Sequence, residues 1–155
     1  MFFGASLCAL NKKTGGVRPI AVGCTLRRLV AKAACRRVKQ KVVEMLSPIQ
    51  LGFGIELEAE AAVHAATRYL EALDCGQGLL KLDFSNAFNT ISRDILLHAV
   101  ASDLPELFKF VNNCYAEQSN LFFGPYIILS AEGVQQGDPL GRYFIVCVLC
   151  HWSER

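Results

Sequence analysis

Apolar positions come in short runs at the start of this chain and then recur at helical spacing. Residues 5 to 10 and 17 to 23 are apolar runs separated by NKKTGG. Lys13-Thr14-Gly15-Gly16 is a tight-turn sequence, so the pattern predicts a β-hairpin with a basic tip. From Thr25 to Leu46 the period becomes helical. Leu26, Leu29, Val30, Ala33, Val38, Val42 and Leu46 can line one face, with Arg27, Arg28, Lys32, Arg36, Lys39 and Lys41 on the others. Ser47-Pro48 ends that helix, because a residue before proline disfavours the helical region. A loop with Gly52-Phe53-Gly54 leads to a second helix from about Glu56 to Leu73, whose acidic first turns (Glu56, Glu58, Glu60) suit a helix N-terminus.

Cys75-Gly76-Gln77-Gly78 interrupts the chain before an apolar run, Leu79 to Phe84, that reads as a strand. Ser92 is placed to cap a helix through Val100, and Pro105 to open another through Ala116. Leu121 to Val134 reads as a strand pair with turns near Gly124-Pro125 and Glu132-Gly133. Asp138-Pro139 supplies cap and first position of a last apolar helix running toward Trp152. No repeat and no linker divides the elements, so a single α+β unit is expected.

Composition narrows the class. A chain of 155 residues with 52% hydrophobic and 19% charged residues can bury a core and is not a disordered segment. The longest apolar stretch near the C-terminus, Tyr143 to Cys150, is far short of a membrane span. The N-terminal apolar run has no basic residue ahead of it, so no signal peptide is expected and an intracellular place, cytoplasm or nucleus, follows. The seven cysteines, at 8, 24, 35, 75, 114, 147 and 150, are odd in number and lie in apolar surroundings, as reduced buried thiols do. Cys147-Val-Leu-Cys150-His151 has the spacing of a c-type haem attachment, but it sits in an apolar run without an export signal. No second close pair supports a zinc site.

Charge changes the picture more. The net charge is only +2, yet ten of the sixteen Lys and Arg residues fall between Lys12 and Lys41, and no acidic residue precedes Glu44. A block of that kind suits a polyanion, with nucleic acid the usual partner. A solvated basic surface or a helix lying on an anionic membrane would carry the same charges. Candidate chemistry is sparser. Asp83, at the end of LLKLDF, can be a cap, a structural ion-pair partner or a ligand of a hard cation. His64 on the second predicted helix reads as a surface or packing residue rather than a catalytic one. Gly137, a capping Asp138 and Pro139 form a loop-to-helix junction able to bring backbone close to a ligand, or merely to start a helix.

Three blocks, in order, resemble one family. GLLKLDFSNAFN (78 to 89) and VQQGDPLG (134 to 141) resemble two signature blocks of reverse transcriptases of the non-LTR retrotransposon type, and FFGASLCALNKKTGGVRPIAVG (2 to 23) looks like the fingers hairpin of that family. PIQLGFG followed by EAAVHAATRYL also echoes the non-LTR pattern, so the resemblance runs from about Phe2 to Cys150. It implies the fingers and an incomplete palm of a right-hand polymerase, about 1–77 fingers-like and 78–155 palm. The activity implied is RNA-directed DNA polymerase, a nucleotidyltransferase, on RNA template, DNA primer and dNTP.

Carried over by position, Asp83 binds Mg2+ with help from the Phe84 carbonyl, as phosphoryl transfer between two hard cations requires. Phe88 becomes the ring that excludes a ribose 2′-hydroxyl. Arg18, Lys12 and Lys13 meet the incoming nucleotide and its phosphates, a task suited to guanidinium. Gln136 and Gly137 contact template and nucleotide, and Arg27, Arg28, Lys32, Arg36 and Arg37 track the template backbone. Arg142 departs from the proline or small residue that usually follows the QGDPLG block.

The family also carries two adjacent aspartates in a later palm hairpin, and a thumb. No Asp-Asp pair occurs here, so this chain alone is expected to hold magnesium poorly and to show little polymerase activity. A non-catalytic nucleic-acid-binding module using residues 12 to 41 is the alternative expectation. Oligomeric state is not readable from the sequence.

Overall fold

In the computed structural model, residues 2–13, 15–47 and 58–153 are described, with backbone only at 58, 59 and 150–153. Among them are four strands and six helices, a mixed α/β arrangement. The strands are β1 (Ala5–Asn11), β2 (Val17–Gly23), β3 (Ser119–Phe123) and β4 (Tyr126–Ser130). The helices are α1 (Thr25–Leu46), α2 (Glu58–Glu71), α3 (Ala87–Thr90), α4 (Arg93–Asp103), α5 (Pro105–Tyr115) and α6 (Gly141–Ser153). None is long and apolar enough to cross a membrane.

The backbone divides into two compact units, Met1–Arg37 with Asn86–Arg155, and Val38–Ser85.

The larger unit is built on a sheet of order β2-β1-β3-β4. β1 and β2 form the expected hairpin, Ala5 opposite Gly23 and Asn11 opposite Val17. Its tip is closed by Lys12 N donating to Gly16 O at 3.0 Å, with Gly15 and Gly16 at φ 87° and 84°, a region that glycine enters without steric cost. β3 and β4 form the second hairpin, turning at Gly124-Pro125 with Phe123 opposite Tyr126. β1 lies parallel to β3, Ala5 beside Leu121. No local pattern announces that pairing, because a parallel neighbour is reached only after a long crossover.

Helical signals placed two elements well. Ser92 Oγ accepts from Ile95 N at 3.5 Å at the start of α4, and Pro105 occupies the first turn of α5, where its missing N–H costs no hydrogen bond. α5 buries Leu107, Val111, Cys114 and Tyr115, one stripe at helical spacing, and α4 packs on both α5 and α6. Each fully buried leucine there, such as Leu96 or Leu104, contributes ~1.5–3 kcal/mol relative to exposure. Tyr115 and Phe144 meet edge to face with ring centroids 5.7 Å apart.

Three expectations are corrected. The buried stripe of α1 is Arg27, Ala31, Val38, Val42 and Leu46, while Leu26, Leu29 and Val30 are exposed. Apolar spacing alone could not see that Arg27 has a buried carboxylate to meet. The strand expected at Leu79 to Phe84 is absent: these residues have no ladder partner among the described residues, and Leu80 is 79% exposed. β propensity without a partner strand makes no strand. The last helix starts at Gly141, three residues beyond the expected cap.

α2 covers Glu58–Glu71 of the predicted second helix, with His64 on its surface. Residue 56, the Gly52-Phe53-Gly54 loop, Pro48 and Thr14 lie outside the described residues, as do the side chains of Cys150, His151 and Trp152. Cys8, Cys24, Cys35, Cys75, Cys114 and Cys147 form no disulfide.

Candidate nucleic-acid interface

The hairpin tip presents Lys12, Lys13 and Arg18, all exposed, with Arg18 opposite Leu10 in the ladder. On α1, Lys32, Arg36 and Arg37 are exposed as well. Arg28 is half-buried, and its Nε is buried without a hydrogen-bond partner among the described residues. This larger unit therefore offers solvent a set of cations from two adjacent elements.

Arg27 does not belong to that set, and its expected contact with a template backbone is corrected. Its side chain is 2% exposed, and Nη2 donates to Asp138 Oδ2 at 2.9 Å while Nη1 donates to the Phe3 carbonyl at 3.0 Å. Tyr115 Oη donates to the same Asp138 oxygen at 2.6 Å. The other carboxylate oxygen accepts from Leu140 N at 3.0 Å. Asp138 thus closes a turn ahead of α6 and neutralises a buried guanidinium, as a buried charge requires. Burial by itself would lower the Arg27 pKa, but Tyr115 and Asp138 outweigh it and leave it raised. Burial and then Asp138 push the Tyr115 phenol well above its usual value, so it stays a donor.

The Gln135 to Gly141 loop is held by this network. Gln135 is buried, its N–H donating to Tyr115 Oη at 3.4 Å and its Nε2 to the Phe3 carbonyl at 3.2 Å. Gly137 N donates to Ala21 O at 3.3 Å, and a Cβ at Gly137 would stand 2.6 Å from that oxygen. The loop and the base of the first hairpin therefore touch backbone to backbone, an approach only glycine permits. Phe88 is half-buried, its ring 3.0 Å from where a Cβ on Gly141 would lie, and its carbonyl accepts from Val134 N at 2.7 Å. Phe88, Gln136 and Gly137 thus come from one neighbourhood, with Gln136 half-buried.

Asp83 and Phe84 lie in the other compact unit, both exposed and outside regular structure. Among the described residues, no three His, Cys, Asp or Glu side chains converge. Fewer than three such ligands fall short of the oxygen set that Mg2+ takes, so the described residues do not by themselves complete a site for the ion.

Sequence reasoning missed Arg93 and Tyr115. Arg93 is buried and donates to the carbonyls of Gly133, Ser130, Glu117 and Glu132 and to Ser130 Oγ, fastening the second hairpin to α4. Arg27 and Arg93 both lie over the Tyr115 ring, at 5.0 and 5.5 Å from its centroid. Burial and the neighbouring Arg27 lower the Arg93 pKa, against the opposing pull of Tyr115. Nothing local marks either residue; their partners lie 20 or more positions away.

A cavity of about 440 Å³ is lined by residues including Leu7, Pro19, Ala21, Asn89 and Glu132. It holds none of the expected site residues, and its single charged side chain is acidic, which disfavours a triphosphate.

No family model matches the chain. Over 98 residues, 63% of its length, it is 33% identical to the retrotransposable element SLACS 132 kDa protein of Trypanosoma brucei gambiense. The chain spans 8% of that protein's length, so the likeness is a partial one, to a retrotransposon-encoded protein.

Proposed function

We propose that this chain is the fingers and part of the palm of a retrotransposon-encoded reverse transcriptase, and that its own task is to hold nucleic acid by the backbone. The observation that carries the reading is the exposure of Lys12, Lys13, Arg18, Lys32, Arg36 and Arg37 in a stretch with no acidic residue before Glu44. Exposed cations of this density neutralise phosphates and release counterions, which favours binding whatever the base sequence. The partial likeness to a retrotransposon protein and the order of the DFSNAF and QGDPLG blocks support the same reading.

Template-directed DNA synthesis from dNTPs belongs, in this reading, to a protein that includes this segment together with further carboxylates. Asp83 contributes one ligand toward Mg2+ there, with the Phe84 carbonyl beside it; the ion would supply charge stabilisation for phosphoryl transfer. Phe88 is the side chain that faces the sugar, and Gln136 and Gly137 lie next to the nucleotide.

Primer extension by a polymerase carrying this segment tests the assignment. Asp83→Ala should abolish synthesis while RNA binding persists, and synthesis that survives the substitution removes Asp83 from the role. A second reading, a binding module without chemistry, is favoured by the described residues, among which no three His, Cys, Asp or Glu side chains gather around a metal. It predicts no extension in any such protein.

A further inference from the structure

The two edges of the sheet are built differently. β2 carries Arg18 and Pro19, and proline and charge both discourage another strand from adding there. β4 carries neither. Its sequence is Tyr-Ile-Ile-Leu-Ser, with Tyr126, Ile127, Ile128 and Leu129 exposed by 67, 61, 45 and 63%, and no strand lies on its outer side among the described residues.

The hairpin register says which backbone groups are left over. Phe123 and Tyr126 flank the two-residue turn and form a hydrogen-bonded pair, so Tyr126, Ile128 and Ser130 exchange bonds with β3. Ile127 and Leu129 then turn their N–H and C=O groups outward. These two positions are symmetric about Ile128.

We propose that β4 is a homodimerisation edge, pairing antiparallel with β4 of a second copy of this chain so that Ile128 faces Ile128 across a two-fold axis. In that register Ile127 stands opposite Leu129 of the second copy, and the four outward groups of each edge are satisfied by the same four groups of the other. The strand bears no charge, so self-pairing brings no like charges together, and apolar side chains meet on both faces. A two-fold contact consumes both β4 edges, and the blunted β2 edges stop growth at two copies. Five residues a side is a small interface, so a weak, concentration-dependent dimer is expected.

Sedimentation velocity over a concentration series, with backbone amide exchange on the same samples, tests this. The wild-type chain should pass from monomer to dimer, and the Ile127 and Leu129 amides should exchange more slowly as concentration rises. Ile127→Pro removes an outward N–H without touching the β3 ladder, and Ile128→Lys sets like charges face to face. Each should weaken the dimer by at least ~10-fold, while Val17→Lys on the opposite edge leaves it unchanged. A chain that stays monomeric, that grows beyond a dimer, or that dimerises undiminished in both variants overturns the proposal. Should either variant lose its circular dichroism, the wild-type exchange decides: rates at Ile127 and Leu129 that ignore concentration also overturn it.

Discussion

Arg27 and Asp138, 111 positions apart, meet at 2.9 Å with side chains only 2% and 3% exposed. The contact ties the first turn of α1 to the loop ahead of α6, and Tyr115 and the Phe3 carbonyl complete the set. Removing one partner leaves the other charged and buried. Arg27→Met or Asp138→Asn should each lower unfolding free energy by ~3–5 kcal/mol, and the double variant by less than the sum. Urea denaturation of the four proteins measures this. Losses under ~1 kcal/mol would mean that water reaches the pair.

Gly137→Ala should detach the loop from the first hairpin. A methyl group there would press on the Ala21 carbonyl at 2.6 Å, and both sides of the contact are backbone. We expect a destabilisation of ~1–3 kcal/mol, read as a lower urea midpoint, together with faster exchange at Val22 and Gly23. A stability equal to wild type would show that the loop can retreat.

Arg93 fastens four carbonyl oxygens from the segment between α5 and α6. Lysine offers a point charge in place of a fork. Arg93→Lys should therefore orphan several of those acceptors at ~1–3 kcal/mol each, and the β3–β4 amides should lose protection first. Uniform loss across the unit would contradict a local fastening role.

Alkali should weaken the fold in a defined window. Burial, then Asp138, raises the Cys35 thiol from 9.0 to about 11, and burial, then Cys35, raises the Tyr143 phenol from 10.0 to about 12. Both groups are held neutral in the folded chain. Their contribution is fully present below the unfolded values and is lost as pH climbs through the folded ones. Tyr143 Oη donates to the Cys35 carbonyl at 3.0 Å, so the two lie on one contact. Thermal unfolding should be flat with respect to these groups up to about pH 9 and fall between about 9 and 12. Tyr143→Phe should flatten the upper part of that fall.

Legibility followed the range of the signal. Ser92, Pro105, the Lys13 to Gly16 turn and the Gly124-Pro125 turn act within a few residues, and the elements they punctuate stand where the sequence puts them. The face of α1 was misread because hydrophobicity ranks Leu26 and Leu29 above Arg27, and only a carboxylate 111 positions away reverses that order. The Leu79 to Phe84 run failed for the complementary reason: its residues have strand propensity, yet no ladder partner among the described residues. Of the expected interface, the exposed cations were legible from charge alone, whereas Tyr115, which holds the Gln135 to Gly141 loop, and Arg93, which fastens the second hairpin, carry no local mark.

In the proposed function, the basic hairpin tip and the exposed face of α1 hold a nucleic-acid backbone. Filter binding of single-stranded RNA by the chain, across a salt series, tests it directly, with the Lys12→Ala, Lys13→Ala, Arg18→Ala triple variant alongside. Affinity should fall steeply with salt, and the triple variant should reduce the log–log slope by about 2–3 while keeping its fold. Binding that ignores salt, or a slope that the triple variant does not change, contradicts the account.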